Sequence, residues 1–270
     1  MEPRKHTCKS CANVFTGDYC NLCGEKVLHG ADRSFKTFIH NILTAFTFAD
    51  SKFLKTLWLT LSKPGFVSKE FVEGRRVNYL NPLSLFFVLN LAYFFFPVIQ
   101  LFNASLNTQL LSPLGHFYKN IISSRVATMG IDFSSFSLIY NLKTVGLAKL
   151  MVMVFVVIAS LPMNFLYPKR NRYFTDHIDY MVELACFNLF VNAIVLSVFA
   201  STGLGHYFNE LTLTAIFITT NLYFLLRSGV AYYKEKSWKL VLKSVVMILF
   251  LKISLELYRA ILFFVTIWSL

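Results

Sequence analysis

Residues 83–102 read LSLFFVLNLAYFFFPVIQLF, an uninterrupted run with no charged side chain. About 20 such residues, wound as an α-helix, cross a hydrocarbon core about 30 Å thick. Asn81-Pro82 in front of the run supply a capping residue and a proline suited to the first helical turn. Further along, 147–167 (LAKLMVMVFVVIASLPMNFLY) forms a second span, with Pro162 expected to kink its end and Lys149 near enough to the interface to snorkel. A third covers 178–200, and 211–226 is a short, Thr-rich, uncharged fourth. The last stretch, 240–267, exceeds one span and carries Lys243, Lys252, Glu256 and Arg259; it reads as one tilted helix. The expected fold is an all-α polytopic membrane protein of about five transmembrane helices, four being the main alternative count.

Composition agrees with lipid as the main solvent. Of 270 residues, 56% are hydrophobic and 17% aromatic, with 29 Phe and only 15% charged, where soluble domains carry about a quarter charged. The mean hydropathy is +0.55. A water-soluble domain of this size is therefore excluded as a reading. The formal charge of +12 divides unevenly: residues 1–79 hold 12 basic and 7 acidic side chains, and the rest of the excess lies among the hydrophobic runs. That spread suits membrane topology better than a nucleic-acid groove. The first 30 residues are polar and lack an apolar h-region, so no secretory signal peptide is expected.

The loops orient the chain. Lys169, Arg170 and Arg172 lie between the second and third spans, and Arg227, Lys234, Lys236 and Lys239 between the fourth and fifth, whereas 201–210 and the tail after Arg259 contain no Lys or Arg. The positive-inside rule then puts the N-terminus in the cytoplasm and the C-terminus outside. Residues 103–146, with Lys119, Arg125 and Lys143, are expected to form a long external loop.

Residues 31–79 carry apolar stripes at helical spacing. Phe35, Phe38, Ile39, Ile42, Leu43 and Phe46 make one, and Phe53, Leu54, Leu57, Trp58 and Leu61 another, flanked by Lys36, Lys52, Lys55 and Lys63. Such helices lie in the headgroup plane or dock on the spans; a small soluble bundle is the alternative. Pro64-Gly65 ends the second stripe, and a further short helix over 66–73 would close at Gly74, with Arg75 and Arg76 near the lipid phosphates.

The one strong chemical motif lies in residues 1–30. Cys8-x-x-Cys11 and Cys20-x-x-Cys23-Gly24 are two knuckles separated by eight residues, the spacing of a zinc ribbon in which four thiolates close a tetrahedral site on one structural Zn²⁺ per chain. A disulfide pair or an iron centre is the alternative chemistry, and a cytoplasmic location favours metal over disulfides. Thr16-Gly17-Asp18 suits a turn between the knuckles, and Phe15 and Tyr19 are expected to cover the metal hairpin. His6 and His29 flank a site with no place left for them. Arg4, Lys5, Lys9, Lys26 and Arg33 surround it, yet no aromatic stacking platform accompanies them, so protein recognition or scaffolding is preferred over nucleic acid.

Ionisable residues inside the spans form the second signal. Asp176, Asp179 and Glu183 share one face of the third helix with Tyr180, and His177 lies beside them; Lys252, Glu256 and Arg259 share a face of the last. A polar site or ion path is one reading. The other keeps Asp176, His177 and Asp179 at the interface and pairs Glu256 within its own helix. Asn188, Asn192 and Asn221 are expected to bond between helices, and Cys186 to be a buried, inert thiol. No phosphate-cradling Gly loop, Gly-x-Ser-x-Gly elbow or His-Glu-x-x-His occurs.

These elements resemble a family of bacterial multispan membrane proteins of unknown function, whose members begin with paired Cys-x-x-Cys knuckles. The matching residues are Cys8, Cys11, Cys20, Cys23, Pro64-Gly65, Gly74-Arg75-Arg76, Tyr79 and Pro82, then Arg170-Asn171-Arg172-Tyr173-Phe174-Thr175-Asp176-His177. Members carry further histidines on the helix after that His, where this chain has Glu183 and Ala185. The resemblance implies a bacterial inner-membrane protein and supplies no activity. The preferred reading is a non-enzymatic scaffold or sensor that recruits a cytoplasmic protein through its ribbon. A transporter or channel using the acidic face of the third span, with room for a homo-oligomer, is the alternative. An intramembrane metalloenzyme around His177 is a weaker one.

Overall fold

Lys5–Thr7 (β1) and Val14–Thr16 (β2) pair as antiparallel strands in the register Lys5↔Thr16, His6↔Phe15 and Thr7↔Val14. The first knuckle therefore closes this hairpin, instead of lying before one as the sequence suggested. The connection from β2 to the second knuckle is a bend at Gly17, whose φ of 99° suits glycine. Phe15, Cys8 and Cys20 form the small core, flanked by Cys11 and Val27. The computed structural model describes residues 5–8, 11–22, 24, 27, 51–73, 78–95, 102–168 and 173–270. Met1–Leu54 and Lys55–Leu270 form separate units. The expected stripe over 35–46, Arg75 and Arg76 lie outside the described residues.

The second unit is helical. Its elements are α1 (Ser51–Ser62, which begins in the first unit), α2 (Phe66–Val72), α3 (Pro82–Phe95), α4 (Leu106–Leu111), α5 (Gly115–Met129) and α6 (Phe133–Leu166). They are followed by α7 (Phe174–Ser201), α8 (Glu210–Ala231) and α9 (Trp238–Trp268). α3 starts as its sequence dictates: the Asn81 side-chain oxygen accepts from the Leu83 N–H at 2.9 Å, and Pro82 takes the first helical position. Its inner face is Leu85, Phe86, Leu89 and Tyr93, while Phe87, Leu91 and Phe95 point outward. Trp58 of α1 is likewise exposed.

Among the described residues, three helices are long and apolar enough to cross a membrane: Phe133–Leu166, Phe174–Ser201 and Leu211–Ala231. The five expected spans thus divide. The described part of the first ends at Phe95, with 96–101 outside the described residues. The fifth is one helix of 31 residues, as expected, but Lys239, Lys243, Lys252, Glu256 and Arg259 put at least three charges in every span-length stretch of it. The second helix begins well before residue 147 and runs 34 residues, about 51 Å at about 1.5 Å per residue.

Residues 103–146 also depart from expectation, because most of the expected loop is helix. Ser105 caps α4 by accepting from the Thr108 N–H, and Gly130, at φ 64°, closes α5. The Asp132 carboxylate caps α6 through the N–H groups of Ser134 and Ser135 and also bonds both their hydroxyls. Those hydrogen bonds, the Ser134 hydroxyl first, hold its carboxyl well below the usual carboxylate range. Leu106, Tyr118, Ile122, Phe136, Tyr140, Phe263 and Ile267 from α4, α5, α6 and α9 then form one core.

α6 and α9 pack along much of their length. Tyr258 donates to the Ala148 carbonyl at 3.2 Å, and the hydroxyls of Thr144 and Thr266 meet at 3.2 Å. α7 is the central helix: every residue from Tyr180 to Leu189 is buried, the pattern of a helix with neighbours all round. Its turns widen to a π-helix over Leu189–Val195.

Candidate functional site

The thiol cluster is built by two alike turns. In the first, the Ala12 N–H donates to the Cys8 carbonyl at 3.0 Å; in the second, the Gly24 N–H donates to the Cys20 carbonyl at 2.8 Å. Ala12 (φ 57°) and Gly24 (φ 77°), each the residue after a second cysteine, share the left-handed conformation. Sequence spacing predicts two knuckles, and the backbone repeats the same turn at both. The ligand atoms of Cys8, Cys11 and Cys20 all lie within 4.8 Å of one another, and the Cys11 and Cys20 Sγ atoms are 3.6 Å apart. Thiolates about 2.3 Å from a tetrahedral ion stand about 3.8 Å from each other, so the donor set fits a metal ion. Cys23 and His29 lie outside the described residues.

Asn13 supports the cluster, donating from Nδ2 to Cys20 Sγ at 3.8 Å and to Asn21 Oδ1 at 2.7 Å. Phe15 covers it as expected, but Tyr19 does not: it is 61% exposed, beside exposed Val14 and Leu22. His6 packs its ring 6.0 Å from that of Phe15.

In the helical unit the acidic face of α7 is engaged by the segment before α3. Glu183 is buried, and its two carboxylate oxygens accept from the backbone N–H groups of Gly65 (3.0 Å) and Ser68 (2.8 Å). Ser68 returns a bond from its hydroxyl to the Asp179 carbonyl at 3.1 Å. The Ser68 N–H belongs to the first turn of α2 and that of Gly65 to its capping residue, at the end where a helix leaves donors unsatisfied and favours negative charge. Gly65 adopts φ 79°, and a Cβ on it would stand 2.7 Å from the Ser228 Cβ. Pro64-Gly65 thus lets the backbone turn into the groove between α7 and α8. Ser228 also meets the Tyr180 hydroxyl at 2.6 Å.

The remaining members of that face have structural partners too. Asp176 accepts from the Tyr173 N–H at 3.0 Å, and its carbonyl accepts from the Tyr232 hydroxyl at 2.8 Å. His177 is buried, with Nδ1 2.9 Å from the Tyr233 hydroxyl. Tyr233 stacks on Tyr167 at 3.8 Å, and Lys243 lies over the outer ring while pairing with Glu235 at 2.7 Å. Glu256 pairs with Arg259 within α9 at 3.3 Å. The asparagines bond between helices: Asn188 and Asn221 exchange two hydrogen bonds at 2.9 Å, and Asn192 of α7 donates to the Thr220 hydroxyl of α8 at 3.0 Å. Cys186 is buried, its thiol 3.6 Å from the Pro82 carbonyl. Ser228, Tyr233 and the Gly65 amide are not singled out in the sequence as partners of this face; long-range contacts alone bring them to it.

A family model described as Protein of unknown function (DUF3667) matches residues 50–94. The matched stretch takes in α1, α2 and all but the last residue of α3, including the Gly65 and Ser68 amides but not the Glu183 that accepts from them. No curated protein and no solved structure matches the chain.

Proposed function

We propose that the chain is a multi-pass protein of the bacterial inner membrane that displays a zinc ribbon in the cytoplasm and recruits a protein partner through it. Cys8, Cys11, Cys20 and Cys23 hold one structural Zn²⁺. The observation that carries this reading is the repeated turn, with Ala12 and Gly24 in the same conformation and with the same hydrogen bond to the first cysteine of each pair. A site closed by four thiolates folds a short segment and leaves no open position for substrate. The basic loops set the orientation, and the resemblance to bacterial inner-membrane proteins supplies the compartment.

Recruitment is supported by Val14, Tyr19 and Leu22, large apolar side chains that the ribbon's own core leaves exposed. A transport role would rest on Glu183, and that carboxylate is occupied by two backbone donors. The test is a photo-crosslinking residue placed at Leu22 in the full-length membrane protein. A discrete adduct that disappears in Cys20→Ser supports recruitment by the folded ribbon; no adduct, or one indifferent to Cys20→Ser, contradicts it.

A further inference from the structure

The α4–α5 hairpin is pinned to α9 at two points: Gln109 donates from Nε2 to the Arg259 carbonyl at 3.3 Å, and Arg125 donates to the Ile267 carbonyl at 3.3 Å. Its tip is a tight turn. The Ser112 hydroxyl donates to the Gln109 carbonyl at 2.6 Å, the Gly115 N–H donates to the Ser112 carbonyl at 2.8 Å, and a Cβ on Gly115 would collide with the Leu110 carbonyl. Between this tip and the middle of α9 lies a crevice of about 400 Å³. The other cavities described have room for about one water each, whereas this one falls in the range of small-molecule sites. Its apolar walls are Leu114 on one side and Ile253, Leu257 and Ala260 on the other.

Two charged residues of opposite sign open into the crevice, Lys252 and Glu256, one helical turn apart on the same face of α9. They do not neutralise each other. Glu256 Oε1 takes Arg259 at 3.3 Å, and Lys252 takes part in no ion pair among the described residues. The order along the helix accounts for this, since a Lys before a Glu at this spacing is the weaker arrangement. A purely anionic ligand would meet the Glu256 carboxylate, and a purely cationic one the Lys252 ammonium. A ligand that carries both charges meets each with its opposite. Four residues of helix rise about 6 Å, a gap that an α-amino acid, with carboxylate and ammonium on one carbon, closes through a charge-assisted hydrogen bond of about 2.8 Å at each end. The apolar walls then require a side chain of their own kind.

We infer that this crevice is a binding site for one free α-amino acid with a large aliphatic side chain. The ligand carboxylate lies on the Lys252 ammonium, its ammonium on the Glu256 carboxylate beside Arg259, and its side chain against Leu114, Ile253, Leu257 and Ala260.

The experiment is a scintillation proximity assay of tritiated L-leucine on the full chain purified in detergent. The expected result is saturable binding of one leucine per chain. Unlabelled 4-methylpentanoate lacks the ammonium, isoamylamine the carboxylate and glycine the side chain, and each competes at least about tenfold more weakly than leucine. Lys252→Gln and Glu256→Gln each weaken leucine binding by about tenfold or more, whereas Lys252→Arg retains it. Leu114→Trp, which fills the crevice from an exposed position, weakens it as well. Lys252 is exposed, so Lys252→Gln keeps the wild-type melting midpoint and its loss of binding reports on the site and not on the fold. No saturable leucine binding by the wild type, equal competition by 4-methylpentanoate or isoamylamine, or leucine binding that survives Lys252→Gln undiminished overturns the inference.

Discussion

Replacing Glu183 with alanine removes the acceptors of two buried backbone N–H groups, those of Gly65 at 3.0 Å and Ser68 at 2.8 Å. A buried donor left without a partner costs about 1–3 kcal/mol, and a bond to a carboxylate contributes about 1.5–3 kcal/mol. Two such bonds put the loss at roughly 3–6 kcal/mol before the vacated volume adds its own cost. Glu183→Gln retains one acceptor oxygen and turns an NH₂ group toward the second amide, so it loses roughly half as much. Since about 1 kcal/mol moves the melting midpoint of a chain this size by about 2–4 °C, the alanine variant melts about 10 °C lower and the glutamine variant about 5 °C lower. The assay is thermal unfolding of detergent-purified protein, paired with hydrogen exchange at the Gly65 and Ser68 amides, which are protected in the wild type and exchange fast in the variants. An alanine variant that melts within about 2 °C of wild type, with those amides still protected, would refute the account of how α2 is held.

Three further outcomes are expected. Gly65→Ala places a Cβ 2.7 Å from that of Ser228 at a positive φ and costs about 1–3 kcal/mol; Ser228→Gly in the same chain recovers the steric part of the lost melting temperature and leaves the conformational part. Asn188→Ala and Asn221→Ala, which break the reciprocal amide pair, each cost about 0.6–1.7 kcal/mol, and a double-mutant cycle that shows simple additivity contradicts the pairing. The Asp132 carboxyl titrates low because its hydrogen bonds favour the charged form, so its contribution to the start of α6 is complete above the ordinary carboxylate range and is lost as pH falls through its depressed value. Hydrogen exchange at the Phe136 amide follows that course, and Asp132→Asn abolishes the pH dependence.

Legibility in the sequence followed the range of the interaction. The cap at Asn81-Pro82 is written in adjacent residues, and the structure carries it. The knuckles are nearly as local: Cys-x-x-Cys followed by a small residue specifies the turn, and three of its thiols gather as the spacing predicted. Residues 103–146 were harder, because Ser, Asn and Thr dilute the apolar periodicity. Their helices are fixed by distant partners such as the packing of Tyr118 on Phe263, with ring centroids 4.0 Å apart. Glu183 shows the limit. Its place on an acidic face at helical spacing was visible, and so was the Pro64-Gly65 break, but nothing local joins positions more than a hundred residues apart. A carboxylate satisfied by backbone donors leaves no trace in side-chain patterning.

The measurement closest to the central proposal is zinc content per chain on detergent-purified protein, wild type beside Cys20→Ser/Cys23→Ser. The account predicts one zinc per chain in the wild type and none in the double variant, with the helical circular dichroism unchanged. A wild type purified without a tightly held metal, or zinc that survives the double substitution, would contradict the ribbon.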